Sequence, residues 1–196
     1  MEHLDDLAVS GCTRCEDLVG SRRRIVNGVG PADAAILFVG EAPGEREDER
    51  GEPFVGRSGD ILNEVLRDNG LDRADVRITN TVRCRPPDNR DPSATEVANC
   101  RPYLVGEIER VDPAVIVTLG KVASENVLGE SVAVTSAAGS IEPATIGDSV
   151  RDVLINVHPA ATLYDRSQRE AFESAIERAA ALAGDQVGGQ SSLGEF

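Results

Sequence analysis

Tryptophan is absent from this 196-residue chain, methionine occurs once, and four Phe and two Tyr supply all the aromatic content. An aromatic ring set among polar loop residues is therefore a rare event here. Lysine is scarcer still: Lys121 is the one lysine among 20 basic residues, which face 34 acidic ones for a formal net charge of -14. Acid in excess, with arginine kept and lysine nearly lost, reads as a solvated surface for high salt, a halophile's surface. Taken alone it argues against a nucleic-acid partner, because basic side chains supply much of that affinity. No apolar run approaches the roughly 20 residues that cross a bilayer, and no basic segment followed by an apolar one opens the chain. The expectation is a soluble, cytoplasmic protein with no membrane association. Internal repeats are also missing. At 40% hydrophobic the chain can bury one substantial core, so one domain over residues 1–183 is expected, with a Gly/Ser/Gln-rich tail at 184–196 expected to be disordered.

What is present alternates between strand and helix patterns. Apolar runs at 35–39, 76–82, 114–119 and 153–157 read as strands. A helix is expected from Ser58 to Asn69, where Ile61, Leu62, Val65 and Leu66 form one stripe. A second follows from the Ser93 cap, with Glu96 at the capping-box position, to about Val111. A short helix ends at Leu128, and an amphipathic one covers Arg166 to Leu182. Residues 129–152 alternate weakly and read as a hairpin or loop excursion. Strands joined through helices call for right-handed crossovers and a mainly parallel sheet, an α/β architecture.

In such a sheet ligands bind beyond the carboxyl ends of the strands, and here those ends carry chemistry. Strand 35–39 empties into Gly40-Glu41-Ala42-Pro43-Gly44 and an acidic loop ending at Pro53-Phe54-Val55-Gly56. That loop offers two carboxylates, Glu41 and Glu47, and one ring, Phe54, which suits a flat polar ligand. Asn80 follows the second strand, Gly120-Lys121 the third, and His158-Pro159 the fourth.

Four cysteines are spaced C-x2-C (Cys12, Cys15), then 68 residues, then C-x15-C (Cys84, Cys100). A C-x2-C pair chelates more readily than it closes a disulfide on itself. Four thiolates suit either structural zinc or a 4Fe-4S cluster, and spacing does not choose between them. Either would tie the N-terminus to the loop after the second strand. Around that loop the charge balance reverses, with Arg77, Arg83, Arg85, Arg90 and Arg101 against Asp88, Asp91 and Glu96; Arg22-Arg23-Arg24 forms a second basic group.

Taken together, Cys12-x2-Cys15, the arginines with Gly28 and Gly30, GEAPGEREDERGEPFVGRSG from Gly40, NTVRCRPPDNRDP from Asn80, Cys100 and His158-Pro159 resemble the family 4 (iron-sulfur) uracil-DNA glycosylases. The resemblance runs from Cys12 to about Ala183. It implies a three-layer α/β sandwich with a central four-stranded mainly parallel sheet and a 4Fe-4S cluster on the four cysteines. The implied activity is hydrolytic removal of uracil from DNA, the first step of base excision repair. By position in the family's motifs, Phe54 stacks on uracil, Asn80 reads its Watson-Crick edge, Glu47 walls off the thymine methyl and His158 donates to uracil O2. Glu41 is the leading carboxylate for water or sugar, ahead of Glu47, because the better-known relatives carry aspartate one position later, at Ala42. Arg85, Asn89 and Arg90 are expected on phosphates and Leu163 as a wedge into the vacated stack. Uracil-containing DNA is the implied partner, with a sliding clamp or an abasic-site endonuclease as protein partners to a monomer. Competing expectations are a broader-specificity iron-sulfur glycosylase, against which Glu41 speaks, and a non-catalytic DNA-binding module, against which Asn80 and His158 speak.

Overall fold

Two short strands, β1 (Leu4–Asp5) and β2 (Ala8–Val9), open the fold and pair antiparallel ahead of helix α1 (Glu16–Ser21). There follow β3 (Ile36–Gly40), α2 (Glu45–Arg50), α3 (Arg57–Asp68), β4 (Arg77–Asn80), α4 (Ala94–Val111), β5 (Val115–Leu119) and α5 (Lys121–Leu128). Then come α6 (Val134–Ala137), β6 (Ile141–Ile146), β7 (Ser149–Asn156) and α7 (Arg166–Gln190). This computed structural model describes residues 4–5 and 7–190.

The main sheet has the order β4-β3-β5-β7-β6, with the first four strands parallel and β6 antiparallel on the outside of β7. Alternation within β3 divides the core. Ile36 and Phe38 face Ile61, Leu62, Val65 and Leu66 of α3 together with Phe172, Ala175, Ile176 and Ala179 of α7. Leu37 and Val39 face Leu104 and Ile108 of α4 with Ala123 and Val127 of α5. Helices on both faces of a parallel sheet explain why its strands read as continuous apolar runs.

The expected α/β sandwich is therefore present, with one strand more than the four expected. The extra strand is β6, within the 129–152 excursion. It carries Pro143, which a sheet tolerates at an edge, and it buries only Ala144 and Ile146. Its partner β7 begins at Ser149, earlier than the expected 153. Helix α7 continues to Gln190, past the expected end at Leu182 and into the stretch read as a tail; residues 191–196 of that tail lie outside the described residues. Among the described residues no helix is long and apolar enough to cross a membrane.

Two arginines of the basic stretch turn inward. Arg77 and Arg83 grip the fully buried Glu107 of α4, Arg77 through Nε at 2.8 Å and Arg83 through Nη2 at 2.7 Å. Arg77 also donates to the carbonyls of Gly28 and Gly30, and Arg83 to those of Leu7 and Tyr103 and to Asn27 Oδ1. A buried charge network of this kind is costly to break from one side, at about 3–5 kcal/mol. It ties the N-terminal segment and β4 to α4, which is a structural job rather than a DNA contact.

Candidate active site

The carboxyl ends of β3, β4 and β7 open on one cavity of about 280 Å³, lined by Glu41, Ala42, Gly44, Glu47, Phe54, Ser58, Asn80 and His158. The parallel register sets Gly40 beside Asn80. A Cβ on Gly40 would sit 2.4 Å from Asn80 Oδ1 and 2.6 Å from the Phe54 ring. Those distances are well inside contact, so the bare backbone of Gly40 is what lets amide and ring share the cavity. Gly40→Ala is accordingly expected to leave the fold intact while displacing both groups. A misplacement near 1 Å can cost about 10²-fold in rate, and kcat/KM on the site's substrate measured beside thermal unfolding checks this.

Phe54 is held in an unusual backbone state, with φ of 52°, a left-handed conformation that a bulky residue adopts only when its surroundings impose it. Three groups do so. Glu47 of α2 accepts from the backbone N–H of Val55 at 3.0 Å and of Gly56 at 2.9 Å. Arg73 donates to the Phe54 carbonyl at 3.2 Å and also to the Pro53 carbonyl. Gly59 lies so close beneath that a Cβ there would stand 1.8 Å from the Phe54 carbonyl oxygen. The ring packs into the core on one side and lines the cavity on the other. Glu47, expected as a wall, thus also braces the loop that carries the ring.

His158 follows β7, whose last residue, the fully buried Asn156, accepts from Val157 N–H and donates to the Phe172 carbonyl. The imidazole centroid lies 6.1 Å from that of Phe54, tilted by 35°. Its Nδ1 accepts from Ala160 N–H at 3.2 Å. An accepting Nδ1 fixes the neutral tautomer with its proton on Nε2. Burial lowers the His158 pKa, with the negative Glu47 opposing, so the neutral ring is favoured near neutral pH. Glu41 is pushed upward, first by burial and then by the charge of Asp91. Asn80 is buried at 3% exposure with its amide on the cavity. The arrangement can hold a planar heterocycle, meet one of its edges with a donor and an acceptor, and direct an N–H at developing negative charge.

The residues expected to meet DNA are not among those lining this cavity. Arg85 donates to Asn89 Oδ1 at 2.8 Å and lies 3.8 Å from Glu45. The Arg90 fork is occupied by Glu96, at 2.8 and 2.7 Å, which with Ser93 N–H holds that carboxylate down at about 2. Arg90 thus braces the loop and the α4 cap, with its side chain still 38% exposed. Leu163 ends a 3-10 turn, Pro159–Leu163, and is exposed, as is its neighbour Tyr164. Gly59, Arg73 and Asn156 carry no role in the sequence reading; of these only Gly59, which closes the motif that begins at Gly40, had any local signal.

Cys12, Cys15, Cys84 and Cys100 line one small cavity with Arg14, Leu18, Arg22 and Asn99. N–H donors aim at the sulfurs: Arg22 Nη1 at Cys84 Sγ (2.9 Å), Asn99 Nδ2 at Cys15 Sγ (3.4 Å) and Arg83 N–H at Cys100 Sγ (3.4 Å). Burial raises the Cys84 thiol, with Arg22 acting the other way, and raises Cys100 to about 11. Donors aimed at buried sulfurs suit thiolates that a metal centre has deprotonated. The donor set thus fits a sulfur-ligated centre, although among the described residues no group of three His, Cys, Asp or Glu closes on a single-ion site. Ala42 packs in the cluster of Leu18, Val82 and Cys84 while also lining the cavity, so the two sites share a wall.

Residues 27–180 match the family model described as the uracil DNA glycosylase superfamily. The chain is 43% identical over 191 residues to a type-4 uracil-DNA glycosylase of Archaeoglobus fulgidus, covering 94% of this chain and 95% of that protein. It is 44% identical over 160 residues to a type-4 uracil-DNA glycosylase of Thermotoga maritima, covering 81% of each. A type-5 uracil-DNA glycosylase of Pyrobaculum aerophilum is 31% identical over 205 aligned residues, covering 88% of this chain and 89% of its own length.

Proposed function

The chain belongs to the uracil DNA glycosylase superfamily and, within it, to the type-4 uracil-DNA glycosylases, and on that premise we propose that its cavity takes a uracil flipped out of DNA. Hydrolysis of the N-glycosidic bond there removes the base and leaves an abasic site, as base excision repair of deaminated cytosine requires. The observation that carries the reading is the meeting of Phe54, Asn80 and His158 on one cavity.

A base in a duplex is out of reach, so the nucleotide leaves the stack at a cost of a few kcal/mol. The Phe54 ring offers uracil a face on which to stack. The Asn80 amide donates to O4 and accepts from N3–H, a pair that cytosine, with an amino group at C4 and a bare N3, cannot satisfy. Thymine's C5 methyl is met by the wall that Glu47 and its braced loop form. As the bond breaks, negative charge gathers on uracil and positive charge on the sugar. His158, neutral and protonated at Nε2, donates to O2, where that charge develops. Glu41 orients the water or offsets the sugar's charge, the task the better-known relatives give to an aspartate at Ala42. Its carboxylate form is the active one, so kcat/KM falls as pH drops through the raised Glu41 pKa. Glu41→Gln loses activity and that acid limb together, as a pH-rate profile of both proteins would read.

Cys12, Cys15, Cys84 and Cys100 are the residues that would hold a 4Fe-4S cluster. Bound there, it would cross-link the N-terminal arm to the loop after β4 and would take no part in the hydrolysis, which moves no electrons. Arg85 and Asn89 reach backbone phosphates, and Leu163 with Tyr164 meets the stack that the uracil leaves. The abasic product calls for an abasic-site endonuclease downstream. Incubation with a uracil-containing oligonucleotide followed by alkali tests the activity: strand breakage at uracil supports it, and an intact strand at every salt concentration contradicts it.

A further inference from the structure

Arg22 stands between the two cysteine pairs. It follows α1 directly, and its guanidinium is shared: Nη1 donates to Cys84 Sγ at 2.9 Å and Nη2 to the Cys12 carbonyl at 2.6 Å. One planar fork therefore joins the first cysteine of the N-terminal pair to the first of the distant pair. The backbone behind it is fixed. Asp48 of α2, fully buried, accepts from Arg23 N–H at 2.9 and 3.0 Å and from Arg24 N–H at 3.3 Å. The donors described on Cys15 and Cys100 are an amide and a backbone N–H, both neutral and both at 3.4 Å. The contact at Cys84 is shorter and carries a full charge, which makes a hydrogen bond roughly twice as strong.

Four thiolates around a doubly positive iron-sulfur core leave two net negative charges in a partly buried site, within an acidic protein. Uncompensated buried charge is expensive. From these contacts we propose that Arg22 is the counter-charge and clamp of the four-cysteine centre: it positions Cys12 and Cys84 relative to each other and sets the cluster's reduction potential. The proposal rests on the 4Fe-4S reading of the cysteines. Hydrogen bonds and positive charge at the sulfurs favour the form that has gained an electron. When dithionite supplies one electron and takes the core from doubly to singly positive, the guanidinium offsets part of the added charge.

Arg22→Gln and Arg22→Lys separate charge from shape, because lysine keeps the charge and loses the fork. The test is a dithionite potentiometric titration of the holoprotein, read by visible absorbance and electron paramagnetic resonance. The loss of visible absorbance in air with a chelator is followed alongside. At a fixed potential Arg22→Gln is expected to lower the reduced-to-oxidised ratio about tenfold, which is about 59 mV for one electron, and to bleach faster. Arg22→Lys should keep a potential near the wild type while bleaching at an intermediate rate. A variant that folds, as judged by circular dichroism, yet purifies colourless supports the clamp. Equal potentials and equal bleaching in Arg22→Gln and wild type overturn the proposal. A wild type free of iron sinks the cluster reading itself, a result distinct from unchanged potentials in an iron-loaded protein.

Discussion

Asn80→Asp is expected to reduce uracil excision by on the order of 10³-fold or more, because a site built to hydrogen-bond a polar edge discriminates steeply when that pairing fails. Asn80 is buried at the end of β4, in register with Gly40. Aspartate there occupies the same volume, so packing is kept. Its two oxygens only accept, however, and one would confront uracil O4, another acceptor. The same carboxylate could accept from the N4 amino group of cytosine. Selectivity should therefore shift toward cytosine even as the uracil rate falls. Single-turnover excision on matched oligonucleotides carrying uracil or cytosine reads both changes. An unchanged uracil rate would remove Asn80 from the recognition role.

His158→Ala is expected to lower kcat by about 10²–10³-fold, the loss typical of one donor aimed at developing charge, or about 3–4 kcal/mol of barrier. The size follows from its tautomer. With Nδ1 accepting from Ala160 N–H, the Nε2 proton is left for the cavity, and the neutral state is favoured by burial. A neutral N–H gains most as the uracil turns anionic, so the defect should fall on kcat far more than on KM. A structural role alone would instead lower the unfolding temperature and leave single-turnover chemistry of the folded fraction intact. Measuring both separates the two. His158→Gln, which can still donate, should recover part of the loss.

Much of this site could be read from the chain because its chemistry sits at the ends of buried parallel strands. Apolar runs mark those strands, and the residue after each run is placed by the topology, which is how Asn80 and His158 were found. Phe54 stood out as one of few rings, in a loop bounded by Pro53 and Gly56. What escaped was pairing over distance. The Arg77–Glu107–Arg83 network joins residues of β4, its following segment and α4, and nothing in a local charge count distinguishes a buried arginine from a solvated one. The bracing of the Phe54 loop by Glu47 and Arg73 was hidden likewise. Helix α2, with the sequence EREDER, has no apolar stripe to announce it. Strand β6 was obscured by Pro143 and by its place at the sheet edge. The pairing of Arg90 with Glu96 is hidden too, because the sequence pattern shows Glu96 only as a capping residue, a role it fills while also holding Arg90.

The claim on which the rest depends is that the rings of Phe54 and His158 and the amide of Asn80 form one receptor for uracil. A crystal structure with free uracil soaked in tests it most directly. The account predicts the base in the cavity between Glu41 and Ser58, its face on Phe54, O4 and N3 against the Asn80 amide and O2 at His158 Nε2. Uracil bound with its edge turned away from Asn80, or an empty cavity at saturating uracil, would contradict it.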